Sequence, residues 1–595
     1  MYKRQADRLA WLSGDQSQEQ LQGGAFRNRT NVLGDIVNSN SVYVGSKDYG
    51  YGVLLGAEGS SYSTYINSSA YINRTAMLYV GANDGMLHGF DANSNSTGGQ
   101  ELFAYVPNAL YPKLSHLTSP NYVHEYYVDG LSGVGDVYDG SAWHTLLAGA
   151  SGAGGKALFA LDVTAPNNFS ASQVLWEFTS IAPSLATDCS AWGATSANYD
   201  INDLGYTLGQ PSVVRLQDGH WVILAANGYN SANGHAVLFI LDAKSGCVIQ
   251  KLDTFNADIS GIATVNGLSS PIAIDTNNDL SVDTVYAGDL HGNFWKFDVS
   301  GSAGSYLIPT APFFVACTTS GTCASANRQA ITAKPNVGPA GGVGTDQNGV
   351  GWMLYFGTGQ YFEPSDNMIG SNTQVQSLYG LWDQGTLITD RALLETQTIT
   401  YEGLGTLACA ASNTCPTGTL TTTSQSIAVV SKNAVCYAQS SAGCTATSPL
   451  KKGWVLDLYY SSAQGERIVS APLVSNGLVV FSTLIPSANP CAAGGTSNLI
   501  ELGTFNGGQS SIAPFDINGD GVVNSQDQVL VNGVSQFVSG INLAIGIINT
   551  PILMASTTVN YNYISGSMGA MAIVTDAGVS VGSSGAAKRS WHQLK

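Results

Sequence analysis

The sequence predicts an all-β protein, a β-propeller of repeated antiparallel sheets, and three observations predict it. Charged residues make up only 11% of the 595-residue chain, and 69 residues are Gly. Ordinary soluble domains carry about 25% charged residues and about 7% Gly. That profile argues against long Lys/Glu-rich surface helices and against disorder, and it suits many short strands joined by tight turns. A strand–turn–strand phrase that closes on an acid recurs along the chain. Two loops with acids at alternate positions open onto such strands, as expected of a β-scaffold that holds a hard cation.

In chain order, residues 1–25 are polar and without strong periodicity, and they read as a linker, with Leu9–Gln20 a linker or short helix. The propeller is expected over 26–595. The phrase appears as YVGANDGMLHGFD ending at Asp91, LLAGASGAGGKALFALD ending at Asp162, LAANGYNSANGHAVLFILD ending at Asp242 and YAGDLHGNFWKFD ending at Asp298. The first and fourth copies agree at Tyr79/Tyr286, Gly81/Gly288, Gly85/Gly292, Phe90/Phe297 and Asp91/Asp298. Looser copies end at Asp383 (SLYGLWD) and Asp457 (GWVLD), with a last one at Glu501 (NLIEL), which makes about seven units. The copies lie about 44 to 85 residues apart. Four strands need roughly 40–50 residues, so the excess is read as inserted loops. Radial repetition arranges so many strands without long bare edges. The closing Asp is read as structural, accepting N–H groups of the following turn. Residues 301–350 and 385–450 lack the phrase and read as long decorated loops.

The net charge of −18 argues against nucleic-acid binding, which needs a cationic footprint. Of nine cysteines, six form close pairs, Cys317/Cys323, Cys409/Cys415 and Cys436/Cys444, expected to close small disulfide loops in an oxidising compartment. Zinc is the competing reading, but the histidines never fall at ligand spacing. Cys189, Cys247 and Cys491 are left unassigned. No secretion signal opens the chain and no apolar run reaches the roughly 18–20 residues of a membrane span. The expectation is an exported protein whose signal lies on a longer chain of which this is the C-terminal part.

Asp275, Asn277, Asp279 and Asp283 recur at positions 1, 3, 5 and 9 of one loop, with the Ser281 carbonyl at position 7. Ca²⁺ takes six to eight such oxygens, and three carboxylates this close repel without a cation. The second loop, Asp516-Ile-Asn518-Gly-Asp520-Gly521-Val522-Val-Asn524-Ser-Gln-Asp527, follows the D-x-[DN]-x-[DN]-G pattern with an acid at position 12. Asp516, Asn518, Asp520 and Asp527 would give side-chain oxygens and Val522 a carbonyl, with Asn524 acting through water. Asp rather than Glu at position 12 is dockerin-like. Pro514-Phe515 and Val529-Leu530 are expected to pack this loop, within an EF-hand-like insert at 505–545. Gly578-Val-Ser580-Val-Gly582 fits a nucleophile elbow but has no helix signal behind it. Gly154-Gly155-Lys156 lacks the phosphate-loop spacing and its Ser/Thr. His88, His124 and His291 stand singly and read as packed or surface residues.

Several pieces, in order, resemble the C-terminal propeller region of the PilC/PilY family of type IV pilus tip adhesins and biogenesis factors. They are LGDIVNS (Leu33–Ser39), YVGANDGMLHGFDA, NGYN (Asn227–Asn230), the Asp275 loop with YAGDLHGNFWKFD, FGTGQYF, SLYGLWD, GWVLDL, GERIVSAPLV, CAAGG and RSWHQL. The opening WLSGDQSQEQ resembles the segment that precedes the propeller. The resemblance implies a modified, quinoprotein-like seven-bladed propeller with long loop insertions and no enzymatic activity. It implies Ca²⁺ at the Asp275 loop controlling pilus extension against retraction. It also implies a place at the pilus tip with minor pilins, on the cell surface or outer membrane after periplasmic transit, and attachment to host-cell or abiotic surfaces. The family's N-terminal von Willebrand-like region and the Arg-Gly-Asp of some members are not in this sequence. The competing readings are a quinoprotein-like dehydrogenase, against which the chain has no adjacent cysteines, and a carbohydrate-binding lectin.

Overall fold

The computed structural model describes residues 2–179, 189, 200–340, 351–370, 373–412, 414, 420–489, 494–555 and 559–577. Side chains alternate between the two faces of a strand, and here both faces are buried. In Trp221–Ala226, Val222, Leu224 and Ala226 enter one core while Trp221, Ile223 and Ala225 enter another. Such a strand needs a sheet on each side.

Among the described residues, seven sheets of three or more strands follow one another along the chain. Sheet one is Val42–Val44, Met77–Gly81, Leu87–Asp91 and Glu101–Tyr105. Sheet two is Ser132–Tyr138, Trp143–Ala150, Ala157–Asp162 and Val174–Thr179. Sheet three is Ser212–Arg215, Trp221–Ala226, Val237–Asp242 and Val248–Asp253. Sheet four is Ile272–Ile274, Thr284–Gly288, Asn293–Asp298 and Phe314–Val315. Sheet five runs Asn336–Pro339, Trp352–Gly357, Ser377–Asp383, Gly453–Asp457 and a parallel edge strand, Glu395–Gln397. Sheet six has six strands, from Leu473–Ser475 at one edge to Ile399–Gly403 at the other. Sheet seven is Ile552–Ala555, Val559–Ser565 and Met571–Ala577. The protein is a seven-bladed β-propeller, and among the described residues each pair of sheets consecutive in the chain encloses one of six apolar cores. The outer face of sheet seven is different: Ile552, Met554, Met571 and Ile573 are exposed.

The recurring phrase marks the second and third strands of sheets one to four. The number of sheets is the seven expected, but the later copies do not each mark one. SLYGLWD and GWVLD are paired strands of one sheet, with Gly380 opposite Trp454, and sheet seven carries no copy. The closing acids behave as expected: Asp91, Asp162, Asp242, Asp298 and Asp383 accept N–H groups from Asn93, Thr164, Ser245, Ser300 and Gly385 in the turns they begin. Asp457 instead takes both Arg391 Nη2 contacts, at 2.7 and 2.8 Å.

Two other expectations are corrected. The N-terminal helix α1 is Tyr2–Leu12, not Leu9–Gln20; its Trp11 is buried, with the Arg29 guanidinium 3.6 Å from the ring centroid. Residues 301–350 and 385–450 are not loops alone, since they supply strands to sheets four, five and six. A second helix, α2 (Gly56–Ile66), packs Tyr62 into the core between sheets two and three. Disulfides Cys317–Cys323 and Cys436–Cys444 form as expected, and Cys189 pairs with Cys247. Cys409 is disulfide-bonded, whereas Cys415 and Cys491 lie outside the described residues. No described helix is long and apolar enough to cross a membrane.

Neighbouring sheets are also pinned by buried indoles. Trp176, on the last strand of sheet two, donates Nε1–H to the Ala243 carbonyl (3.0 Å) in the turn after Asp242. Trp454 does the same from sheet five to Thr504 (2.9 Å) in sheet six. In each turn a left-handed glycine, Gly246 (φ 72°) or Gly507 (φ 62°), lies so close that a Cβ would fall 2.5 or 2.1 Å from the ring. Trp454→Ala is expected to cost about 3–5 kcal/mol and Trp454→Phe less, read as shifts of the urea midpoint. Equal losses would show that the indole N–H and shape do not matter.

Candidate metal centres

The first loop joins the strands Ile272–Ile274 and Thr284–Gly288 of sheet four and folds around Asp275. Asp275 Oδ1 accepts the N–H of Asn278 (2.6 Å), and Oδ2 accepts that of Leu280 (2.9 Å). Asn277 Oδ1 accepts from Asp279 N, and Asp279 Oδ1 from Ser281 N. Asp283 Oδ2 closes the loop by accepting from Thr276 N (2.8 Å).

The second loop repeats this scheme position by position. Asp516 accepts the N–H groups of Gly519 and Gly521, both at 2.8 Å. Asn518 Oδ1 accepts from Asp520 N, Asp520 Oδ1 from Val522 N, and Asp527 Oδ1 closes on Ile517 N. The backbones agree too. Positions 4 and 6 are left-handed in both: Asn278 (φ 63°) and Leu280 (φ 67°) against Gly519 (φ 77°) and Gly521 (φ 81°). Glycine accepts that conformation without cost, while a non-glycine residue there costs roughly 1–2 kcal/mol. Leu280 offsets it by packing its side chain on the core between sheets two and three. The first loop is therefore a nine-residue version of the twelve-residue ring, with Asp283 at position 9 doing what Asp527 does at position 12.

The structure brings Asp275, Asn277, Asp279, Ser281 and Asp283 into one turn, and likewise Asp516, Asn518, Asp520, Val522 and Asp527. In both rings, backbone N–H groups hold the side-chain oxygens in place. Burial raises the Asp275 carboxyl above its ordinary range, with the Asp279 charge adding to it against the N–H donors. Burial, with the Asp516 charge adding, pushes Asp527 up to about 6 despite its backbone donors. Carboxylate, amide and carbonyl oxygens are the donor types that a hard cation such as Ca²⁺ takes. Phe515 and Val529 anchor the second ring in the core between sheets six and seven, with Leu530 half-buried. This ring lies between Asn498–Gly503 and Gly540–Asn542, two strands of sheet six.

Two contacts to the first ring were not legible in the sequence. Gln217, in the turn after Ser212–Arg215 of sheet three, donates Nε2–H to Asp279 and Asp283. Arg215 Nη1 donates to Ser281 Oγ (2.6 Å), and its other face holds Glu58 of α2. No spacing rule links a turn to one some sixty residues later. A further grouping, Asp203, His235 and Asp253, already contains a cation, because Lys251 Nζ lies 2.5 Å from Asp203 Oδ2. His88 bridges Asp84 and Glu101, His291 meets Asp258, and the more exposed His124 meets Asp35. Lys156 is occupied by the Asn230 carbonyl. The Gly578–Gly582 motif lies outside the described residues.

Comparison with known proteins agrees with the fold. The family model described as the PilY1 beta-propeller domain matches residues 33–407. A Xylella fastidiosa type IV pilus biogenesis factor PilY1 homolog is 36% identical over 523 residues, 84% of this chain and 31% of that protein. Type IV pilus biogenesis factor PilY1 of Pseudomonas aeruginosa strain PAK is 35% identical over 567 residues, 90% of this chain and 43% of its own length. The crystal structure of the Pseudomonas aeruginosa PilY1 C-terminal domain superposes with a TM-score of 0.63 at 30% identity, covering 87% of this chain and 96% of that one. The chain belongs to the PilY1 β-propeller family, and it spans less than half the length of these two full-length relatives.

The hydrogen-bond scheme makes Asp275 the organiser of its ring. Asp275→Ala should speed hydrogen exchange at the Asn278 and Leu280 amides by about tenfold or more and leave the Gly519 and Gly521 amides unchanged. Asp516→Ala should do the reverse.

Proposed function

We propose that this chain is the calcium-binding propeller of a non-enzymatic type IV pilus biogenesis factor. It is exported to the cell surface, sits at the pilus tip with minor pilins and takes part in attachment to host-cell or abiotic surfaces. Its relatives are named for pilus biogenesis, and the disulfides suit an oxidising compartment. The observation that carries the calcium part is the shared architecture of the two rings, which converge on one backbone scheme from different sequences and lengths.

Ca²⁺, when bound, supplies positive charge to the rings. The residues that would hold it in the first ring are Asp275, Asn277, Asp279, Asp283 and the Ser281 carbonyl, and in the second Asp516, Asn518, Asp520, Asp527 and the Val522 carbonyl. The chain's own groups do the rest. Backbone N–H donors orient the carboxylates, and Arg215 ties the first ring to α2. Occupancy of the first ring therefore bears on more than its own turn, and that is the basis for reading it as the switch between pilus extension and retraction.

Calorimetric titration should find two Ca²⁺ sites in the wild type. Asp275→Ala with Asp283→Ala should remove one, and Asp516→Ala with Asp527→Ala the other. Ca²⁺ at about a hundredfold its Kd should add about 2.7 kcal/mol of stability per site, reversed by chelation. Cells carrying the Asp275/Asp283 variant should show altered pilus extension and retraction. Absence of saturable Ca²⁺ uptake would contradict the metal reading, and normal pilus dynamics in that variant would contradict the switch.

A further inference from the structure

We propose that Gln217 of sheet three is both the gate and an additional ligand of the cation ring in sheet four. The inference rests on the calcium reading of the Asp275 loop and adds a residue from a neighbouring blade to it.

Within the ring, backbone N–H groups use one oxygen of each of two carboxylates: Asp279 Oδ1 takes Ser281 N, and Asp283 Oδ2 takes Thr276 N. The oxygens they leave, Asp279 Oδ2 and Asp283 Oδ1, converge on a single atom outside the loop. That atom is Gln217 Nε2, at 2.6 and 2.8 Å. The donor therefore stands between the two carboxylates.

Its place is not a chance of side-chain rotation. The Val282 N–H donates to the Arg215 carbonyl (2.8 Å), and Leu216 and Val282 form a parallel bridge. Arg215 Nη1 holds Ser281 Oγ from the same turn. These contacts fix the register of the two turns and set Gln217 across from positions 5 and 9 of the ring.

A glutamine amide offers N–H donors on one side and a carbonyl acceptor on the other, exchanged by a half-turn of its last bond. Between two carboxylates the NH₂ side must face inward. Between the same carboxylates and a divalent cation, the oxygen must face inward. Gln217 thus shields the metal-free ring and supplies an oxygen to the loaded one, so loading the ring reverses a contact between sheets three and four. Among the described residues the second ring shows no such partner: there Asp520 Oδ2 meets its own loop's Asn518 Nδ2, at 3.4 Å.

The test uses the full chain with Asp516→Ala and Asp520→Ala, which confines binding to the first ring. Ca²⁺ affinity is read by calorimetry. Coordinated water is counted from Tb³⁺ luminescence lifetimes in H₂O and D₂O, a readout that a merely structural role would not move. Gln217→Ala should weaken Ca²⁺ by roughly three- to tenfold and admit about one more water to the bound Tb³⁺. Gln217→Glu, which keeps an oxygen at that place, should hold the parent water count. Gln217 lies in a half-buried turn, and an unchanged thermal midpoint of the metal-free variant verifies that it folds. An unchanged water count in Gln217→Ala overturns the proposal while leaving the calcium reading in place. Absence of saturable Ca²⁺ or Tb³⁺ binding by the parent removes that reading, and this proposal with it.

Discussion

Burial on both faces is the constraint from which the architecture follows. A strand buried on one face can end a fold, but one buried on both demands a neighbour on each side. In Trp221–Ala226 every residue is buried and successive residues feed alternate cores. Repeated through six cores, this leaves side chains of the central strands no freedom for chemistry. What varies is the turns, and the turns are where carboxylates gather. Sheet seven, packed on one side and apolar on the other, departs from the rule at the end of the series.

The turns that carry acids are themselves built by hydrogen bonds rather than by packing. Asp275 and Asp516 each gather N–H groups from the next few residues, so each ring is assembled whether its position 6 is Gly521 or the less tolerant Leu280. The cost at Leu280 is offset by anchoring its side chain against the core under α2. That anchor, with Arg215 and Glu58, joins the first ring to sheet three and to a helix, whereas the second ring is held by Phe515, Ile517 and Val529 in the core between sheets six and seven. Two loops of one chemistry are thereby wired differently: polar side chains of the neighbouring sheet reach the first, and apolar packing between sheets six and seven holds the second.

Much of this was legible in the residues. The period-two strands, the closing acids and both rings follow from spacing and turn chemistry, because these are local properties of the chain. Pairing is not local, and there the reading slipped. SLYGLWD and GWVLD look like two units but pair with each other, since the segment between them lends one strand to their own sheet and others to the next. Sheet seven has no phrase to announce it. Helix α1 begins earlier than the polar stretch suggested, held by the stacking of Trp11 under Arg29. Cys189 and Cys247, 58 residues apart, share no spacing pattern that could have paired them. Gln217 lies beyond the reach of any motif for the same reason, because only folding sets its turn beside the ring.

The central claim is that the two rings are divalent-cation sites, and anomalous diffraction from crystals grown with Ca²⁺ tests it most directly. The account predicts two peaks, one enclosed by Asp275, Asp279 and Asp283 and one by Asp516, Asp520 and Asp527, each surrounded by six to eight oxygens. Featureless density at both places, with those carboxylates bound only to backbone N–H groups, would contradict it.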